Sequence, residues 1–136
     1  MKMWKKLRKG QAGIEFLILI SFLLFIFSTY YIGLLKKDQE YFANSVAYDS
    51  EALASSISMA LDTAFVEGNG FSINITLPAD IDGLKYSVII YPNIVCINVG
   101  SRHYYHNTIV RKVVGNFSSG INVIKNVEGI IKITHG

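Results

Sequence analysis

The stretch FLILISFLLFIFSTYYIGLL, residues 16–35, decides the fold because it runs for 20 residues without a charged side chain. At about 1.5 Å per residue, a helix of this length spans about 30 Å, the thickness of the hydrocarbon core of a membrane. Within lipid the backbone must satisfy its own hydrogen bonds, and a single segment achieves this only as a helix. The stretch therefore predicts a membrane-spanning helix.

Basic residues flank this span unequally. Five of the 13 lysines and arginines lie in residues 1–10, whereas Lys36 and Lys37 follow the span directly. Because basic residues concentrate on the cytoplasmic side, this asymmetry predicts that the N-terminus is inside and the C-terminus outside. Without residues 1–10 the chain has 8 basic and 10 acidic side chains. The net charge of +3 therefore reflects the N-terminus and does not indicate nucleic-acid binding.

The helix is predicted to continue well beyond the span. No proline precedes Pro78, and apolar residues recur at helical steps along one face: Phe42, Val46, Leu53, Ile57, Leu61 and Ala64. Small residues between them would allow another helix or a sheet to approach closely. Gly68-Asn69-Gly70 then predicts the end of the helix. A helix over residues 12–67 is long for a monomer, which favours packing of part of it between neighbouring chains.

After residue 70 the pattern becomes that of β-strands. Five segments are rich in β-branched and aromatic residues, namely residues 71–77, 84–91, 94–99, 103–114 and 129–134. They predict a small antiparallel meander that packs on the helix. The predicted fold class is α+β. It has four parts: a leader over residues 1–10, a hydrophobic helix over 11–35, its amphipathic continuation over 36–69 and a β-rich extracellular domain over 70–136.

The residues at the start of the apolar span resemble a known processing motif. Lys9-Gly10-Gln11-Ala12-Gly13-Ile14-Glu15-Phe16-Leu17-Ile18-Leu19 is similar to the class III signal peptide of archaeal type IV pilins. A secretory signal has its small residues after the apolar stretch, whereas here Gly10 lies before it. The resemblance implies a type IV pilin-like fold and a prepilin peptidase that cuts between Gly10 and Gln11. It also assigns Glu15 and Leu19 to the motif, while Gly13 stands where the family often has serine.

The same resemblance implies a function and a set of partners. Such subunits assemble into an extracellular filament with an assembly ATPase and a membrane platform protein, so the chain is expected to form a homo-oligomer used for surface adhesion. The precursor is expected in the cell membrane and the assembled subunit on the cell surface. An archaeal flagellin-like subunit, a minor pilin and an accessory or binding protein that does not polymerise are alternatives. An uncleaved signal anchor is the plainer interpretation of the N-terminus.

Glu15 has two interpretations. It is the only charged residue in residues 12–35, and an ionisable group at the edge of an apolar span needs a partner or water. Bacterial relatives imply that the acid of one subunit meets the new α-amino group of Gln11 in another subunit during docking. Alternatively, Glu15 lies at the lipid headgroups and stabilises the N-terminus of the helix through the helix dipole.

The remaining motifs give weaker indications. Asn74-Ile75-Thr76 and Asn116-Phe117-Ser118 are acceptor sequences for N-glycosylation. His103 and His106 would point to opposite faces of a strand, so no metal site is predicted. Cys96, the one cysteine, is expected to be a small buried hydrophobic residue. No catalytic motif or cofactor-binding pattern occurs, and an enzyme is not predicted.

Overall fold

The computed structural model describes the backbone of residues 2–136 and the side chains from residue 10 onward. The side chains of the basic cluster, including Lys9, therefore lie outside the described residues. One helix, α1 (Lys2–Glu67), is followed in the described chain by β1 (Ser72–Leu77), β2 (Tyr86–Tyr91), β3 (Ile94–Val99), β4 (Arg102–Asn107), β5 (Val113–Val114), β6 (Gly120–Val127) and β7 (Ile130–His135). The predicted α+β class is confirmed, and the arrangement is consistent with a pilin-like architecture.

The strands form two small sheets. One is the antiparallel meander β2-β3-β4, in which Val88 pairs with Ile97 and Ile97 pairs with Tyr104. The other has the order β1-β6-β7-β5, and its β5–β7 pair is parallel. The prediction of a single antiparallel meander is therefore wrong in this detail. The two-residue strand β5 joins the sheet beside β7, a long-range pairing that no local pattern indicates.

The chain divides into two compact units, Met1–Phe42 and Ala43–Gly136. The first unit is helix alone. The second contains the rest of α1 and both sheets, which enclose an apolar core. Fully buried core side chains come from the helix and from each sheet: Ile57, Leu61, Val95, Ile97, Ile124 and Ile131.

The apolar stripe predicted on α1 faces this core. Val46, Ile57, Leu61 and Ala64 are buried, while Phe42 at its start is 50% exposed. The small residues of this stripe therefore bring the chain's own sheets close to the helix. The apolar stripe thus packs against sheets of its own chain. The length of the predicted helix had instead favoured contact of part of the helix with neighbouring chains.

The helix ends where the glycines predict, and a distant strand stabilises its end. Gly68 has φ of 92°, a conformation that glycine adopts without strain. The Asn126 side chain on β6 donates hydrogen bonds to the carbonyl oxygens of Ala64 at 3.0 Å and Phe65 at 3.4 Å. Carbonyls of the last helical turn lack partners within the helix, so this buried asparagine supplies one. The contact joins α1 to β6.

The sequence pattern does not predict strand β6, because its polar residues face the interior and an apolar residue faces solvent. Asn122 and Asn126 face the interior and are at most 1% exposed, whereas Ile121 faces outward and is 52% exposed. Asn122 donates to the carbonyl oxygens of Ser118 at 2.7 Å and Gly120 at 3.0 Å. Burial of an amide is tolerated when its hydrogen bonds are satisfied. Asn122 thus bonds to the backbone of the residues just before it, whereas Asn126 bonds to a helix end that becomes its neighbour only after folding.

The segment 103–114, predicted as one strand, is divided by a tertiary contact. Strand β4 ends at Asn107, and the next residues turn toward the helix. There the Thr108 hydroxyl and the Ile109 backbone N–H, the latter at 3.0 Å, both donate to Asp62 Oδ1. Because these donors bond to a helical carboxylate, the backbone leaves the strand ladder before β5 begins.

Candidate processing and assembly site

The predicted cleavage position lies within a continuous helix. Gly10 and Gln11 both belong to α1, and the Gln11 side-chain amide donates to Glu15 Oε1 at 3.4 Å, one helical turn away. A Cβ atom placed on Gly10 or on Gly13 would meet no atom within 4 Å. Glycine in a helix interior is less stable than alanine by roughly 0.5–1 kcal/mol. Within the described residues, neither packing nor backbone conformation gives a reason for these two glycines.

The segment that follows is apolar and exposed on all sides. Phe16, Leu17, Phe22, Phe25 and Phe27 have 62–69% of their surface accessible, and every other residue of the span is exposed as well. By length and composition α1 qualifies as a candidate membrane anchor or signal. Apolar surface of this extent requires cover by lipid or by protein.

Two polar side chains within the span bond to their own helix. Ser21 Oγ donates to the Leu17 carbonyl oxygen at 2.8 Å, and Thr29 Oγ1 donates to the Ile26 carbonyl oxygen at 2.8 Å. A hydroxyl that bonds to the preceding turn exposes little unsatisfied polarity. These two hydroxyls can therefore enter an apolar environment without a hydrogen-bond partner outside the helix.

Both glycosylation acceptors are accessible. Asn74 and Thr76 lie on the outward face of β1, and Asn116 lies in the exposed segment after β5. The Ser118 hydroxyl of the second acceptor sequence lies 2.9 Å from His135 Nδ1. Exposure satisfies a requirement for modification, and glycan attachment itself stays a prediction.

Cys96 is buried, as the sequence predicts, but on the outer side of its sheet. It is 2% exposed, pairs across the sheet with Ile89 and Tyr105, and donates from Sγ to Asn98 Oδ1 at 3.1 Å. Burial raises the pKa of the Cys96 thiol, and a hydrogen bond with Tyr105 acts in the opposite direction. A thiol that stays protonated is a poor nucleophile.

The two histidines of β4 contact different groups. His103 Nδ1 lies 2.6 Å from Asn98 Oδ1, whereas His106 Nδ1 lies 3.0 Å from the carbonyl oxygen of its neighbour Asn107. Among the side chains that the structure describes, no group of three or more His, Cys, Asp or Glu residues is arranged to hold a metal ion.

A groove of about 430 Å³ lies between α1 and the connection from β1 to β2. Its floor is largely apolar and its rim acidic; the lining consists of Asp49, Ala52, Leu53, Ser56, Pro78, Asp80, Ile81 and Asp82. Asp82 Oδ2 accepts a hydrogen bond from Ser45 Oγ at 2.9 Å, which fixes the loop on the helix. The groove is not predictable from local sequence because residues 49–56 and 78–82 come together only in the fold.

The loop of the groove is also held from the β2 side. Tyr86 Oη donates to the Pro78 carbonyl oxygen at 2.6 Å. Burial, and secondarily the negative charge of Asp80, raise the pKa of the Tyr86 phenol, so it remains a donor at neutral pH. The position of Pro78 in the groove wall is thereby fixed by a neutral hydrogen bond.

Comparison of the chain with protein-family models, with curated proteins and with solved structures finds no match.

Proposed function

We propose that this chain is an archaeal type IV pilin-like structural subunit. The precursor is inserted in the cell membrane with its N-terminus in the cytoplasm, and a prepilin peptidase cuts it between Gly10 and Gln11. The assembly ATPase and the membrane platform protein then move the mature chain into an extracellular filament. In that filament the exposed half of α1 packs against copies of itself, and the filament serves in surface adhesion.

One observation carries the proposal: the processing motif and the exposed apolar span belong to one uninterrupted helix whose other end is built into a folded domain. The span is uncovered on every side, while one face of residues 54–64 of the same helix contributes to the core of the second unit. The same helix thus supplies an apolar surface for contact with other copies and part of the core of a folded β domain. Gly10 and Gly13 support the processing step, since folding does not require either of them.

Burial of the span supplies the driving force for assembly. Residues 16–35 contain 14 leucine, isoleucine and phenylalanine side chains. Burial of one such side chain is worth roughly 1.5–3 kcal/mol, so the gross gain is on the order of tens of kcal/mol per subunit before the loss of entropy. Filaments held in this way should resist salt and dissolve in detergent, because ions do not weaken apolar packing and detergent competes for it.

A membrane-anchored subunit that does not polymerise is the second candidate. The same exposed span suits contact with lipid chains, and a minor pilin or accessory protein would retain it permanently. A flagellin-like subunit shares the processing step and differs in the task of its filament. The location of the mature chain separates the second candidate from the other two. Only a pilin-like or a flagellin-like subunit would be found in filaments.

The test uses cells that express the precursor together with a prepilin peptidase and the assembly machinery. Sheared surface material is imaged and probed for the chain, and a Gly10→Trp variant serves as the uncleavable comparison. Tyr41→Trp is the matched control, because Tyr41 is also exposed on α1 but lies outside the apolar span and far from the cut. Filaments that contain the parent and control chains, but not the Gly10 variant, are expected. Mature chain found in membranes alone would refute the polymerising role.

A further inference from the structure

Two oppositely charged surfaces lie on different parts of the second unit. From residue 38 to residue 67 the chain has six acidic side chains and no basic one. The basic residues after the membrane span lie mainly in the β region, and two of them meet directly across strands. The groove described above is the acidic surface, and the outer face of the sheet β1-β6-β7-β5 is the basic one.

The basic surface is centred on a pair of lysines. Lys125 on β6 pairs directly with Lys132 on β7, and both side chains are exposed. Ser72 and Val114 complete this row across the sheet, so no carboxylate stands beside either lysine within the row. Like charges directly opposite each other destabilise an antiparallel pair. The Lys125–Lys132 pair therefore gains from any anionic partner that docks on this face.

The acidic surface has the shape that lysine side chains fit. Three aspartates line the groove, and among its described lining residues none is basic. Its apolar floor, which includes Leu53 and Ile81, suits the aliphatic part of a lysine side chain, while the rim carboxylates suit its ammonium group. Asp49 forms part of the rim and is exposed on α1.

We propose that the Lys125–Lys132 pair of one subunit docks in the Asp49–Asp80–Asp82 groove of a second copy of this chain. This inference rests on the proposed function and names the subunit contact that lies outside the apolar helices. Charge complementarity selects a second copy as the occupant of the groove. The two surfaces differ, so the contact is heterologous, and a heterologous contact that does not close into a ring generates an open filament.

Cross-linking tests the contact without altering its charges. Ser56→Cys places a thiol in the groove, and Thr134→Cys places one on the outer face of β7, two residues from Lys132. The two full-length variants are expressed in the same cells, and sheared filaments are treated with a short bifunctional maleimide. A covalent dimer containing one chain of each variant is expected. Parent chains provide the control, because their one thiol, Cys96, is buried.

Charge reversal provides the second measurement. The Lys125→Glu/Lys132→Glu variant and the Asp49→Lys/Asp80→Lys variant should each lower the yield of sheared filaments by on the order of tenfold or more. Cells carrying both sets of substitutions in one chain should recover most of that yield. Lys85→Glu/Arg102→Glu, a reversal of equal size outside the basic row, should leave the yield unchanged. Immunoblots of the membrane fraction verify that each variant accumulates.

The outcomes separate this inference from the proposed function. Parent filaments without the mixed dimer, or with full yield after lysine reversal, would overturn the docking contact alone. A combined variant that recovers no filaments would also overturn it. Absence of filaments from the parent cells would overturn the proposed function together with the contact.

Discussion

Replacement of Phe25 by aspartate distinguishes burial of the span in a filament from exposure to lipid. Phe25 lies at the middle of the span and is 67% exposed. On the scale of membrane insertion, phenylalanine at this depth contributes roughly −0.3 to −0.6 kcal/mol and aspartate about +2.5 to +3.5. The substitution therefore disfavours insertion by about 3–4 kcal/mol.

The rest of the span offsets much of this cost. Its other 13 leucine, isoleucine and phenylalanine residues contribute at most about −4 to −8 kcal/mol on the same scale. Insertion of the Phe25→Asp precursor is therefore expected to persist at a reduced level. In a filament the same carboxylate would be buried without a partner in every subunit, a cost of several kcal/mol each time. We expect the filaments to disappear while inserted chain remains.

The assay compares two fractions from the same cells: alkali-resistant membranes and sheared surface material. Phe25→Leu is the control for the site, and Ser87→Asp, at an exposed position of β2, is the control for the added charge. Both controls should form filaments at the parent level. Parent-level filaments from Phe25→Asp cells would refute burial of the span in the filament, because the middle of the span could then not be buried among other helices.

Four further predictions concern single groups. Asn126→Ala removes the cap of the last helical turn and leaves buried backbone groups without partners, so it should destabilise the full chain in detergent by about 2–4 kcal/mol, measured by denaturant unfolding. Glu15→Ala should lower filament yield while cleavage continues, if the acid guides docking, as shearing and mass measurement would show. Burial raises the pKa of the Cys96 thiol above its ordinary value, so the folded state retains this proton to higher pH than the unfolded chain. The stability due to Cys96 should be constant below about pH 8 and should fall as the pH rises past the unfolded pKa. Intact-mass measurement of surface chains should show the added mass of a glycan, expected at Asn116, which is exposed and lies outside the row of Lys125 and Lys132.

Each of these predictions has a result that would contradict it. Lys125→Ala, on the outward side of the same strand, should change stability by less than about 0.5 kcal/mol, so an equal loss there would remove the capping explanation. Glu15→Ala chains that enter filaments at full efficiency would leave only the headgroup interpretation of that acid. For Cys96, the parent should lose stability in alkali relative to Cys96→Ala, and parallel pH profiles would refute the linkage. A bare polypeptide mass would remove the glycan prediction.

The helix was predictable because its signals are local. An uncharged span of 20 residues, a one-face stripe and a terminal glycine each act within a few turns, and Gly68 lies where the structure ends the helix. Strands β1 and β3 were predictable for a similar reason, since their apolar residues alternate or cluster between turns. For these elements the nearest neighbours in sequence carry most of the information.

The strand β6 and the division of residues 103–114 were not predictable from such patterns. Asn126 is buried because it bonds to the carbonyl oxygen of Ala64, 62 residues earlier. Thr108 leaves its strand because Asp62, 46 residues earlier, accepts its hydroxyl. In both contacts, a polar group that would be costly to bury without a partner forms a hydrogen bond that exists only in the folded chain. The acidic groove was missed for the same reason, because its two walls are far apart in sequence.

The bond between Gly10 and Gln11 should be cut in chains taken from the cell surface. The most direct measurement is peptide mass spectrometry of the N-terminus of this chain in sheared, detergent-sensitive filaments. We expect an N-terminal peptide that begins at Gln11 and continues through Glu15 into the apolar span. Surface filaments whose subunits begin at Met1, or mature chains recovered from membranes with none in filaments, would contradict it.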